Sequence, residues 1–279
     1  MVTGATAGIG KVTALELAKR GATVIAVGRD PAKGKATVAE IKQASGNHDV
    51  HLLLCDFSSQ SSIRKLAAAY RAEHDRLHVL VNNAGAILGE RRVTEDGVEG
   101  TFATNHIGYF LLTNLLLDVI EASAPARIVN VASEAHHTTN LDFDDLQYER
   151  RSYSPMGAYG ASKLANIAWS AELARRHEGK GVTANSLHPG VIASNFGQSG
   201  PGWMRFGMKL VAPLLTHPAK GAATALYLAT SPDVEGVTGK YWKNKKAVTP
   251  NRQARDPETG RRLWDVSKAL VEKSAAKAA

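Results

Sequence analysis

Apolar residues along this chain come in short runs separated by stretches with helical spacing. Runs suited to buried parallel strands stand at 22–27, 50–55, 78–82, 127–132 and 182–187, with a last short one near 238–242. Strands covered on both faces read this way, as near-continuous apolar segments with no polar alternation. Between them the apolar positions follow the period of a helix, as Val12, Leu15, Leu17 and Ala18 do in the first such stretch. The alternation predicts an α/β fold: a doubly wound parallel sheet with right-handed crossovers and helices on both faces. Ligands of such a sheet bind beyond the carboxyl ends of its strands.

Length and composition fit one domain spanning 1–279. The 279 residues, 44% of them hydrophobic, are enough for one large core. No stretch approaches the ~20 apolar residues of a membrane span, and the start lacks the shape of a signal peptide. The single cysteine, Cys55, cannot form an internal disulfide, which suits a reducing compartment, so a cytoplasmic location is expected. Its place at the end of an apolar run points to core packing. The Ala/Lys-rich tail over 273–279 is expected to fray. A formal charge of +8 raises the question of nucleic acid. The basic clusters at Lys240 to Lys246 and Arg252 to Arg262 lack regularly interleaved aromatics, so a solvated cationic surface, which also attracts an anionic cofactor, is the reading adopted.

Two segments carry chemistry. Thr3-Gly4-Ala5-Thr6-Ala7-Gly8-Ile9-Gly10 runs into the first helical stretch and is followed by the strand run at 22–27. Glycines allow a tight turn close to a pyrophosphate, and the helix that follows points free N–H groups at the same anion. Far along the chain, Tyr159 and Lys163 stand four residues apart in a helical stretch, so both project from one face. An ammonium near a phenol favours its ionised form, which makes the pair a candidate general acid/base for an alcohol oxygen.

With these motifs the chain resembles a short-chain dehydrogenase/reductase. It carries TGxxxGIG at Thr3 to Gly10, Asn82-Asn83-Ala84-Gly85, Ser133 closing Ile128-Val129-Asn130-Val131-Ala132, YxxxK at Tyr159 to Lys163, Asn105 and His188-Pro189-Gly190. Ser133 to His137, Ser162 to Asn166 and Leu263-Trp264 look most like the retinol-dehydrogenase-like branch. The resemblance implies a Rossmann-like sheet and a catalytic tetrad of Asn105, Ser133, Tyr159 and Lys163. In that scheme Tyr159 protonates the carbonyl oxygen, Ser133 holds it, Lys163 also binds the nicotinamide ribose, and Asn105 positions a water. A cap or kink at Asn105 and a plain strand end at Ser133 are the alternatives.

The resemblance also implies the cofactor contacts. Gly4, Thr6, Gly8, Ile9 and Gly10 belong to the pyrophosphate turn, Asp56 accepts from the adenine amino group, and Asn82, Ala84 and Gly85 line the adenosine side. Pro189, Gly190, Val191 and Ser194 meet the nicotinamide carboxamide. At the end of the second strand Gly28 stands where an acidic side chain would bind the ribose hydroxyls of NAD. Arg29 beside it offers a permanent planar cation, so NADP(H) is expected over NAD(H).

The stretch over 195–213 mixes Gly with Trp203, Met204, Phe206 and Met208 and suits either a mobile apolar lid over an apolar carbonyl or alcohol substrate or a plain surface helix. His136 and His137 are adjacent, and with no Cys or carboxylate at ligand spacing no metal is expected. Helices over about 101–121 and 157–178 carry apolar faces that relatives bury in a homodimer, and the same faces could instead serve the core. Only three residues precede Gly4, so the central strand is truncated, and the natural protein is expected to begin upstream. A regulatory or scaffold protein of the same fold would keep the Gly-rich turn without needing Tyr159 and Lys163. An epimerase or dehydratase would need a longer chain.

Overall fold

The computed structural model describes residues 1–190 and 218–278. Every strand run named above forms a strand. In chain order these are β1 (Val2–Thr3), β2 (Val24–Gly28), β3 (Val50–Leu54), β4 (Val79–Asn82), β5 (Ala126–Val131), β6 (Val182–His188) and β7 (Tyr241–Lys243), followed by β8 (Lys246–Val248). They make one sheet in the order β3-β2-β1-β4-β5-β6-β7-β8, parallel except for the antiparallel β7–β8 pair. The order reverses at β1, between β2 and β4, which puts the crevice expected of this sheet at the carboxyl end of β1.

The central strand β1 is two residues long. Val2 pairs with Ala26 on one side and Val81 on the other, and the Met1 ammonium donates to the Val79 carbonyl at 2.8 Å.

Helices cover both faces. On one lie α1 (Gly8–Ala18), α2 (Pro31–Ser45) and α8 (Pro218–Thr230), with a core that includes Ala14, Val24, Ile41, Val129 and Leu187. On the other lie α3 (Gln60–Glu73), α5 (Gly108–Leu115), α7 (Pro155–Arg176) and α10 (Pro257–Ala278), around Leu66, Leu112, Leu164, Trp169 and Leu263. The short α4 (Gly100–Phe102) precedes α5, α6 (Leu117–Ala122) leads into β5, and α9 (Arg252–Arg255) precedes α10. Cys55 is buried in the second core, as its apolar context implied.

Two details differ from the sequence reading. The β7–β8 hairpin turns through Asn244 and Lys245, both at positive φ, with no glycine to mark it. The tail expected to fray is helical through Ala278, since Ala and Lys are strong helix formers that continue α10.

Candidate active site

Gly4 has φ of +64°, a conformation that favours glycine, and turns the chain from β1 toward α1. A Cβ on Gly10 would lie 2.3 Å from the Gly4 carbonyl oxygen and 2.5 Å from Asn83 Nδ2, so the first turn of α1 is pressed onto the loop it follows. Ala7 caps α1 without any side-chain hydrogen bond, which leaves the first amides of the helix for an anion. Beside them opens a cleft of about 590 Å³ lined by Gly4, Thr6, Gly8, Ile9, Gly28, Arg29, Asp56, Ala84 and Gly85. Eight of the expected cofactor residues therefore meet around one space, with Gly28 beside them and Gly10 in the first turn of α1 behind.

Asn82 does not line that space. It ends β4 with its side chain turned into the protein, fully buried, donating to Thr113 Oγ1 at 3.1 Å and Asn130 Oδ1 at 2.8 Å. The next residue takes the place assigned to it: Asn83 borders the cleft and donates from Nδ2 to the Thr3 carbonyl at 2.8 Å. Successive side chains point to opposite faces, so an error of one position reverses the assignment. Thr3, the first residue of the Gly-rich motif but given no role in the sequence reading, receives the Asn83 and Ala84 amides on its hydroxyl at 2.8 and 3.0 Å and ties the two loops together.

The end of β2 is closed to a larger side chain. A Cβ on Gly28 would come within 2.4 Å of Thr6 Cγ2, so the volume an acidic residue needs is filled by the threonine. Arg29 is exposed at the rim.

On α7, Tyr159 and Lys163 sit one turn apart, 9% and 2% exposed. Lys163 Nζ donates to the Val131 carbonyl at 2.9 Å and lies 5.7 Å from the centre of the Tyr159 ring. A Cβ on Gly85 would be 3.6 Å from the same Nζ, which joins this pair to the cleft. Ser133, two residues past β5, hydrogen-bonds the Tyr159 phenol and accepts from the Ala135 amide at 3.2 Å. Gly160 lets α7 approach that turn: a Cβ there would stand 2.7 Å from the Ala135 carbonyl oxygen.

The electrostatics depart from the expectation of an acidified phenol. Burial pushes Tyr159 up to about 12, with the Ser133 hydrogen bond opposing, and pushes Lys163 down to about 7. Desolvation disfavours both charges, so the neutral phenol is the resting form of the protein itself.

Asn105 lies in a π-helical turn, Ala103–Ile107, between α4 and α5. Its carboxamide donates to the Ala86 carbonyl at 2.9 Å and Ser162 Oγ at 3.0 Å and accepts from the Ala86 amide at 2.8 Å. Its own carbonyl accepts from Asn166 Nδ2 at 2.9 Å. These partners make it a clamp on the loop after β4, set in the π-helical turn that interrupts its helix. Pro189 and Gly190 follow β6, Gly190 at φ of +90°. Val191, Ser194 and the segment expected as a lid lie outside the described residues.

The turn Glu134–Thr138 overturns the argument made from adjacent histidines. It is a 3₁₀ helix, in which residues three apart eclipse, and it brings ligand atoms of Glu134, His136 and His137 within 4.8 Å of one another. The carboxylate missing from the sequence argument is Glu134, two residues before His136.

The comparisons agree with this geometry. A model of the family described as short chain dehydrogenase matches residues 1–203. The chain is 44% identical over 276 residues to retinol dehydrogenase 13 of Homo sapiens, covering 97% of this chain and 83% of that protein. It is 42% identical over 271 residues to retinol dehydrogenase 12 of Mus musculus, covering 97% and 85%. Among solved structures it is similar to an uncharacterised protein from Mycobacterium paratuberculosis, with a TM-score of 0.78, 32% identity and coverage of 97% and 91%. Another is the Pseudomonas aeruginosa RhlG/NADP active-site complex, with a TM-score of 0.67, 27% identity and coverage of 86% and 91%.

Proposed function

We propose that this chain, which belongs to the short-chain dehydrogenase family and is an oxidoreductase of alcohols and carbonyls, uses NADP(H) and acts on an apolar small molecule. The observation that carries the reading is the buried Tyr159, bonded to Ser133 and one turn from Lys163, at the edge of a glycine-walled cleft.

The residues fit a nicotinamide dinucleotide. Uncapped amides at the start of α1 and the approach allowed by Gly4 and Gly8 suit its pyrophosphate. At the end of β2, Thr6 occupies the room a carboxylate at position 28 would need, and the exposed Arg29 borders the cleft where it would pair with a 2′-phosphate. Asp56 would accept from the adenine amine, and Lys163, beside Gly85, would hold the nicotinamide ribose. When bound, the cofactor supplies or accepts the hydride.

The chain supplies the proton and the position. Tyr159, held neutral by burial, gives its phenolic proton to the carbonyl oxygen in reduction and takes it back in oxidation. Ser133 donates to the same oxygen and limits its movement. Asn105 acts at one remove, fixing the loop of Ala84 to Ala86 against the helix that carries Lys163. Relatives named for retinol, an apolar alcohol, support an apolar substrate.

A screen of NADPH oxidation over carbonyl compounds, run beside Tyr159→Phe, tests the reading. The substitution is expected to lower kcat by about 10²–10⁴-fold; undiminished turnover removes Tyr159 as the acid. Preference for NADH in the same screen removes Arg29 as a phosphate partner.

A further inference from the structure

The turn after Ser133 carries side chains that the proposed reaction does not use. His136 is fully buried, with Nδ1 2.7 Å from the Ser133 carbonyl oxygen. A carbonyl only accepts, so Nδ1 bears the proton and Nε2 the lone pair. That Nε2 is buried without a hydrogen-bond partner among the described residues. One ring nitrogen tied to a backbone carbonyl and the other left bare is the way a metal-binding imidazole is oriented.

His137 lies against it, with ring centres 3.8 Å apart, and is exposed. Glu134 accepts from the Tyr241 hydroxyl at 3.0 Å and from Lys243 Nζ at 2.7 Å. A carboxylate offers about four lone-pair sites, so two remain. Among the described residues this is the one cluster of three whose ligand atoms converge.

We propose that Glu134, His136 and His137 bind a divalent transition ion of the zinc class. Two imidazoles and a carboxylate, with water in the fourth position, suit zinc and exclude magnesium and calcium, which take oxygen ligands. Lys243 opposes the ion, since its ammonium holds one carboxylate oxygen. The site is therefore tuned by a cation next to it, and removing that cation tightens it. An ion held there stiffens the turn that begins at Ser133. Binding is independent of the reaction proposed above and is measured without substrate.

The experiment is calorimetric titration of zinc chloride into the tag-free, full-length chain, with magnesium chloride as control and melting curves to show that each variant is folded. One ion per chain is expected. His137→Ala, at an exposed position, is expected to weaken binding by at least about tenfold, and Lys243→Met to strengthen it; His137→Gln replaces the first variant if it unfolds. No zinc binding by the wild type, equal affinity for magnesium, undiminished binding in the His137 variant, or weaker binding in Lys243→Met overturns the proposal.

Discussion

A single methyl group decides the geometry of the nucleotide turn. At Gly10 the Cβ of an alanine would meet the backbone carbonyl oxygen of Gly4 and the side-chain Nδ2 of Asn83, which is itself tied to the Thr3 carbonyl. Gly10→Ala is expected to cost about 1–3 kcal/mol and to weaken NADPH binding, read from thermal melts with and without the nucleotide; an unchanged melt and affinity would refute the close packing. Residue identity made most of this site legible. Glycines at fixed spacing, a Tyr–Lys pair on one helical face and a Ser beyond a strand each carry chemistry in their type. What the sequence could not carry was environment. The parity at the end of β4 buried Asn82 and turned Asn83 to the cleft, and desolvation reversed the expected acidity of Tyr159. Both depend on what packs around a residue, which no motif states.

Elements were legible in proportion to their length and burial. Long apolar runs gave β2 through β6, whereas the three-residue β8 has no exposed-buried alternation to reveal it and no glycine at its turn. The π-helical turn was equally hidden, because its extra residue leaves no mark on the apolar period. Asn105 explains why it persists: the bend brings the carboxamide onto the backbone of Ala86 and the hydroxyl of Ser162. Asn105→Ala would leave those groups buried and unpaired, and is expected to destabilise the fold by about 1–3 kcal/mol for each one that water cannot reach. Urea unfolding measures the loss, and a variant as stable as the wild type would show that the clamp contributes nothing.

On the scale of the molecule, burial of histidine links folding to pH. His106 is enclosed between Asn166 Oδ1 at 3.2 Å and Ser267 Oγ at 2.9 Å, and burial pushes it down from 6.5 to about 4. The unfolded chain binds its proton first, so the stability from this group is complete above about pH 6.5 and is lost as pH falls toward 4. Between pH 7 and 5 that amounts to about 2 kcal/mol. Unfolding free energies at the two pH values check it, and His106→Gln should flatten the dependence; the same slope in that variant would place its origin elsewhere.

His106 also marks where α10 rests. Through Ser267, Leu263 and Trp264, whose ring meets Phe110 at 5.1 Å, the last helix crosses the outer sides of α5 and α7. Those are the helices whose apolar faces the sequence reading divided between a homodimer seam and the core. A shortened polypeptide ending at Asp256 bares that strip, and light scattering should find it paired while the complete chain travels alone. The carboxyl-terminal helix then serves as the protein's own substitute for a sister subunit.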